Sequence, residues 1–499
     1  MMTVPPRRNW GTSGLMLRAF VRDSFVYGLA TVLVRAVSIL LVPVLTRLLA
    51  PADYGAIDIL AVFTGFVSVI VSLEIVQAVA RFYPDSTSRD DRIGYASTSL
   101  WFAVIGYTGF LIVGEALAAP IARGLLGGVD RTDIVRVALV ALWGNGVFYV
   151  AQSQLRWRLL ARRYAVSSIV YSVVSMGTGV LFVLAGSGVV GVFGGQIVGA
   201  SAGIALSLGA LRTEYRFIID RAKLRAMLAF SAPLIPSSLG VLVTLYIDRI
   251  AINTLLGLSE LGLFGIGFRL ASVITLLSLG VQSALTPLIY THHRALQTPA
   301  AIARIFRFYV AGTIVVSLGL GLFARELLAF LTTPAYAGGA VVVPLLAPAL
   351  CLSGMYIFAP GPAIAKRTGL IAGINLGGAA LNTALNLLLI PAVGILGAAA
   401  ATLVSSAAVF SANMMVSQRL YPVPHDWRAL GLVVAAAAAL VAAGWWLVPV
   451  GLVGLAVKGV FMVLGAALCV AAGLIERVEV AQVLEVVYLR LRRIRNPAG

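Results

Sequence analysis

Residues 24–46 read SFVYGLATVLVRAVSILLVPVLT. A helix rises 1.5 Å per residue and needs about 20 apolar residues to cross roughly 30 Å of hydrocarbon, so this run is long enough to span. Arg35 stands near its middle. An arginine at that depth costs roughly 2.5–3.5 kcal/mol on insertion scales, so it must face protein or water rather than lipid. Ser24, Tyr27, Thr31, Arg35 and Ser38 follow one another at intervals of 3, 4, 4 and 3 residues, which places them on one helix face. The first span thus carries a polar stripe with a central cation. The reading that follows is one wall of a hydrated cavity that receives an anion. The alternative is an arginine that caps carbonyls inside a helix bundle.

The rest of the chain repeats this pattern. Its 499 residues are 60% hydrophobic and 11% charged, with a mean hydropathy of +0.99. Soluble domains carry roughly 25% charged residues, so the composition is that of an all-α polytopic membrane protein. Fourteen apolar runs are expected to span: 24–46, 56–80, 94–118, 134–154, 165–186, 189–211, 230–252, 262–289, 305–324, 339–363, 369–391, 394–416, 429–449 and 452–474. The loops between them alternate in charge. One set, with the two ends of the chain, holds 28 of the 37 Lys and Arg residues, and the opposite set holds five. The positive-inside rule then puts both termini in the cytoplasm and accounts for most of the net charge of +18 without nucleic acid. The tail from 475 reads as a basic amphipathic helix on anionic lipid. The start, MMTVPPRRNWGTSG, shows no cleaved signal pattern. Cys351 and Cys469 lie far apart in apolar runs, and His292 and His293 are adjacent, so neither a disulfide framework nor a metal site is expected. No loop is long enough for an ATPase domain or a large extracytoplasmic domain.

The chain also repeats internally. LLAPADYGAI at 48–57 matches LLGLSELGLF at 255–264, an offset of 207, and GVFGG at 191–195 matches GILGA at 394–398, an offset of 203. Arg162-Arg163 and Lys366-Arg367 precede the fifth and eleventh spans alike. The expected organisation is an N-lobe over 1–211, a cytoplasmic linker over 212–228, a C-lobe over 229–416, two further spans over 417–474 and a basic tail over 475–499. Six spans per repeat make the two lobes parallel.

TRLLAPADYGAIDIL at 46–60 and ARFYPDSTSRDDR at 80–92 resemble the polysaccharide-export flippases of the multidrug/oligosaccharidyl-lipid/polysaccharide exporter superfamily. LLGLSELGLFGIGFRL at 255–270 and PAVGILGAAAATLVSS at 391–406 resemble the same family. The resemblance implies two six-helix lobes plus two helices, working by alternating access at the cytoplasmic membrane with no covalent chemistry. The implied cargo is an undecaprenyl-diphosphate-linked oligosaccharide, turned from the inner to the outer leaflet. Membrane lipid is an implied partner, and polysaccharide polymerase or assembly proteins are others. Fourteen spans and cationic cavity residues depart from the drug-exporting branch; the peptidoglycan-precursor flippases are one rival, and an ion-coupled multidrug antiporter of the same superfamily, against which a cavity lined by Arg35 and Arg269 counts, is another. A membrane polymerase or ligase would need larger outward loops than those near 119–133 and 325–338.

A diphosphate needs fixed positive charge to pass a low-dielectric layer, and arginine matches phosphate oxygens with paired hydrogen bonds. The resemblance places spans one and eight beside the cavity, so Arg35 and Arg269 are the first phosphate-binding candidates. Arg269 opens a stripe with Ser272, Thr275, Leu279, Gln282 and Thr286. Arg249 is a third candidate, although Asp248 beside it could neutralise it. Arg81, at the end of span two, could recruit head groups at the surface. Lys458 is expected to snorkel outward. Asp58, Glu74 and Asp248 are acids within spans and would bind Na⁺ or H⁺ if transport is ion-coupled; otherwise they pair with the arginines. Glu115, near an outer end, is expected to be solvated. Asn375, Asn382 and Asn386 form a stripe that could contact sugar, as could Ser168, Ser172 and Ser175, with helix packing as the alternative for both sets.

Overall fold

The computed structural model describes residues 42–292, 295–449 and 451–474. Their regular structure is all helical, with no strand among them. Two compact units divide between Val243 and Thr244. Unit 1 contains α1 (Val42–Leu48), α2 (Pro51–Ser72), α3 (Ile75–Asp85), α4 (Arg89–Ala116), α5 (Ala118–Leu126), α6 (Thr132–Trp157), α7 (Ala161–Phe182), α8 (Gly188–Ala210) and α9 (Arg221–Ser231). The boundary falls inside α10 (Ile235–Leu255). Unit 2 continues with α11 (Leu258–Ala271), α12 (Thr275–His292), α13 (Thr298–Leu322), α14 (Ala324–Leu331), α15 (Val343–Gly354), α16 (Thr368–Val393), α17 (Ile395–Leu420), α18 (Trp427–Trp446) and α19 (Leu452–Ala471).

Among the described residues twelve helices are long and apolar enough to cross a membrane. One of them, Ala161–Ala210, is 50 residues long and is a hairpin of two crossings. Its arms run antiparallel: Ser167 hydrogen-bonds Ser207, Thr178 hydrogen-bonds the Gly195 carbonyl, and Gly191 packs on Phe182. The turn needs Gly186 at φ 90° and Gly188 at φ 52°, a backbone region that a Cβ disfavours. A Cβ on Gly195 would collide with the Ser175 carbonyl and the Gly179 backbone, so these glycines let α7 and α8 touch main chain to main chain. The first expected span, 24–46, lies outside the described residues except for its end in α1, and Arg35 lies outside them too. The tail from 475 is likewise outside.

The α16–α17 hairpin repeats this construction in unit 2. Asn382 bonds Ser405, Gly378 faces Val409 and Gly397 packs on Leu389 and Ile390. Gly188 (φ 52°, ψ −135°) and Gly394 (φ 65°, ψ −145°) occupy the same turn position. The structural match is therefore GVVG at 188–191 with GILG at 394–397, an offset of 206 rather than 203. The entry turns agree: Leu159 and Lys366 are both left-handed, at φ 56° and 57°. Leu160 and Arg367 then cap their helices with ψ 58° each. Arg162-Arg163 thus corresponds to Gly369-Leu370, not to Lys366-Arg367.

Three of the expected spans are broken. Span two stops at Ser72 and restarts at Ile75 through Leu73 (φ 47°) and Glu74 (φ 55°), both left-handed and neither glycine. Such residues cost of order 1–3 kcal/mol each and persist only where their surroundings hold them. Span eight breaks at the 3₁₀ turn Ser272–Ile274, where the Ser272 and Thr275 hydroxyls donate to the Arg269 and Ser272 carbonyls, both at 2.7 Å. A third break, at Ala232–Leu234, contains Pro233 and is followed by Pro236, as prolines within a span lead one to expect.

Within the stretch 212–228, expected as a cytoplasmic linker, residues 216–220 bond to α4 of unit 1. The Arg216 and Asp220 amides donate to Ser97 and Thr98, and Phe217 stacks on Trp101. In unit 2, α13 packs against α15, α18 and α19. Lys458 of α19 does not snorkel: it is 1% exposed and donates to Glu326 of α14 at 2.6 Å. Glu115 pairs with Arg136 at 3.7 Å rather than standing in solvent alone. His425, between α17 and α18, sits edge-on to Phe306 and Trp427 with both ring nitrogens buried and without a hydrogen-bond partner among the described residues. Burial pushes its pKa down to about 4. The unfolded chain binds this proton at a higher pH than the folded one, so the contribution is complete above about pH 6.5 and is lost as pH falls toward 4. His425→Phe is expected to flatten thermal melting between those pH values, removing about 1–2 kcal/mol of acid sensitivity, as followed by circular dichroism in detergent.

Candidate functional site

Asp248 lies on α10 and is 7% exposed. Its Oδ1 accepts from Asn386 Nδ2 at 2.6 Å, and its Oδ2 accepts from Thr402 Oγ1 at 2.8 Å. Asn386 also donates to Asn382 Oδ1 at 3.0 Å, and Asn382 donates to Ser405 Oγ at 3.2 Å. The fold makes this cluster from helix spacing. Residues 382 and 386 are four apart on α16, and 402 and 405 are three apart on α17, so each pair shares a face. The antiparallel hairpin then sets the two faces against each other. Asn386 Oδ1 is buried with no hydrogen-bond partner among the described residues. A buried ionised carboxylate needs a compensating charge or a proton. The groups gathered here are carboxylate, amide and hydroxyl oxygens, a donor set that suits a hard cation. No group of three or more His, Cys, Asp or Glu able to hold a metal occurs among the described residues.

Arg249 follows Asp248, but no ion pair joins them among the described residues, and their side chains point to different sides of the helix. One residue along a helix turns the side chain by about 100°. The guanidinium donates to the Leu245 carbonyl at 3.3 Å and lies 4.4 Å from the Phe268 ring centre and 5.6 Å from that of Tyr246. It is half-buried, with an aromatic face on one side. Arg269, also half-buried, stands one turn before the Ser272–Ile274 break. The stripe expected below it is not a continuous polar face. Its first two hydroxyls are committed to the backbone at that break, and Gln282 donates to the Gly354 carbonyl.

The other candidates separate. Asp58 is buried on α2, and Glu74 is the half-buried left-handed residue that starts α3. Arg81 is exposed and paired with Asp85 on its own helix. Asn382 and Asn386 belong to the Asp248 cluster, whereas Asn375 is exposed at the edge of a cavity of about 410 Å³ that it lines with Asn413, Tyr356 and Phe410. Ser168 accepts from Gln152 at 2.7 Å within unit 1, while Ser172 and Ser175 are buried. Thr402, Ser405 and Phe268 were not singled out from the sequence. The available signal was two hydroxyls three residues apart on the span that follows the asparagine stripe.

Comparison with known proteins agrees with this architecture. A family model described as "Polysaccharide biosynthesis protein" matches residues 20–293. The succinoglycan biosynthesis transport protein ExoT of Rhizobium meliloti (strain 1021) is 24% identical over 234 residues, and that match spans about half of each protein, 46%. In fold, the chain is similar to the lipid II flippase MurJ in an inward closed conformation, with a TM-score of 0.70 and 11% identity over 89% of this chain and 98% of that one. It is also similar to an inward-facing multidrug resistance MATE family transporter, with a TM-score of 0.62 and 15% identity over 77% of this chain and 95% of that one. The chain belongs to the polysaccharide biosynthesis protein family, and its fold is that shared by the lipid II flippase and the MATE transporters it resembles.

Proposed function

We propose that the protein is a flippase of the cytoplasmic membrane that turns an undecaprenyl-diphosphate-linked oligosaccharide from the inner to the outer leaflet for polysaccharide synthesis. The observation that carries this reading is the pair of neighbours on α10: a caged carboxylate, Asp248, and beside it a guanidinium, Arg249, free of any ion pair among the described residues. One rigid helix then links a cation or proton site to an anion-binding group. Loading Asp248 with Na⁺ or H⁺ removes a buried charge from the α10, α16 and α17 contact and favours one packing of these helices. Arg249, with Arg269, serves to bind the diphosphate. A dianion paired with arginine loses much of its desolvation cost in the low-dielectric layer. The aromatic rings around Arg249 hold the guanidinium in place between turnovers.

Arg249→Ala is expected to cut export roughly 100-fold, by loss of one charge-assisted bidentate contact of about 3 kcal/mol, while membrane abundance stays normal. Lipid-linked sugar should accumulate on the inner face, with its glycan identified by mass spectrometry of extracted lipid. Undiminished export in this variant would remove Arg249 from the site. Accumulation of peptidoglycan precursor instead would assign the cargo to the rival class.

A further inference from the structure

On the side of unit 1 that carries the basic loops, the start of α7 and the end of α8 enclose a cleft of about 580 Å³. Arg162, Arg163 and Arg212 line it, with Val166 and Leu206 on its walls and no acidic residue. We infer that this cleft is a binding site for the headgroup of an anionic phospholipid of the surrounding bilayer.

The charges here differ from their neighbours. Arg158 pairs with Glu214, Arg216 with Asp90 and Lys223 with Asp91, each at 3.1 Å. Arg162 and Arg212 have no ion pair or hydrogen bond among the described residues, and Arg163 holds only the Ala210 carbonyl, at 3.1 Å. The first turn of α7 adds unneutralised helix dipole: it contains no acid, and Leu160 offers no side-chain cap. The walls continue the site toward the acyl region. Val166 is 47% exposed and Val173, two turns on, is 53% exposed, with Leu206 at 42% across the hairpin. An exposed apolar track that begins at a trio of guanidinium groups matches an amphiphile with an anionic head, not a soluble anion. The internal repeat does not require it, because the equivalent hairpin in unit 2 has Gly369 and Leu370 in place of Arg162 and Arg163.

The test is native mass spectrometry of the delipidated full chain in detergent, titrated with cardiolipin, phosphatidylglycerol, phosphatidylethanolamine, undecaprenyl diphosphate or inorganic phosphate. Wild type should bind the two anionic lipids in preference to phosphatidylethanolamine. The Arg162→Gln/Arg212→Gln double variant should bind them roughly 10-fold more weakly with an unchanged melting temperature, since each basic group near a lipid surface contributes a several-fold factor. Arg89→Gln, an exposed arginine on the same side and outside the cleft, should bind as wild type does. Equal binding by the double variant, or an equal loss in Arg89→Gln, would overturn the site. So would inorganic phosphate competing as well as lipid. Preferential capture of undecaprenyl diphosphate would give the cleft to cargo and equally refute the inference.

Discussion

Asp248→Asn is expected to abolish ion-dependent transport while leaving the protein folded. The amide is isosteric with the carboxylate, so one oxygen can still accept from Asn386. The amide nitrogen would face Thr402 Oγ1, whose hydroxyl can turn wholly to the Ala398 carbonyl, already 2.8 Å away. The helix contact survives, but the negative charge is gone. A cation or proton then has no reason to bind, and the two packings of α10 against the α16–α17 hairpin lose their ion-dependent bias. Transport should fall by about 100-fold or more, because a switch between states of near-equal population needs several kcal/mol of differential binding. A readout independent of cargo is thermal melting in Na⁺ titrations and across pH. A ligand that binds only the folded protein raises stability by about 2.7 kcal/mol at 100 times its dissociation constant. Wild type should show such a shift with Na⁺ or with acid, and Asp248→Asn should show neither. A variant that transports normally, or a wild type indifferent to both ions, would rule out Asp248 as the coupling site. The Arg249→Ala result is separate, so cargo binding and ion coupling can fail independently.

Much of this arrangement was legible in the sequence because a membrane permits few ways to satisfy a backbone. Long apolar runs had to be helices, and glycine marked the tight hairpins at 186–188 and 394. What escaped were features decided by tertiary contact. The break at Leu73–Glu74 contains no glycine or proline, and SVIT at 272–275 reads as uninterrupted helix. The hairpin repeat was visible three residues out of register, since Gly-rich runs align at several offsets and only backbone dihedrals select one. Asp248, Asn382 and Asn386 each stood out as polar residues within spans. That they meet depends on α10 crossing the α16–α17 hairpin, and nothing in their spacing announces it.

Lys458 illustrates the same limit with a larger energetic consequence. A lysine near the start of a terminal span has two ways to avoid hydrocarbon: to stretch toward the interface or to find an acid. Sequence alone favours the first, and the fold adopts the second. Lys458 and Glu326 join α19 to α14 with little solvent access, and one carboxylate oxygen of Glu326 is buried without a hydrogen bond among the described residues. Nearby, Arg325 lies 4.1 Å from the Trp445 ring centre and Trp445 Nε1 donates to the Gly321 carbonyl at 2.8 Å, tying α18 to the same corner. Removing one member of a buried pair strands the other charge, at a cost of about 3–5 kcal/mol. Lys458→Met should therefore lower the melting temperature of the detergent-solubilised protein more than most single substitutions, and Glu326→Gln should lower it as well, because the amide leaves the buried lysine without its counter-charge. The double variant Lys458→Met/Glu326→Leu should recover most of the loss, since well-packed apolar residues can replace a buried pair at little cost. Recovery would mean that the pair sets where the last two helices dock rather than how tightly they are held. An additive double variant would mean that each residue acts on its own, and a single variant without effect would mean that Lys458 reaches water after all.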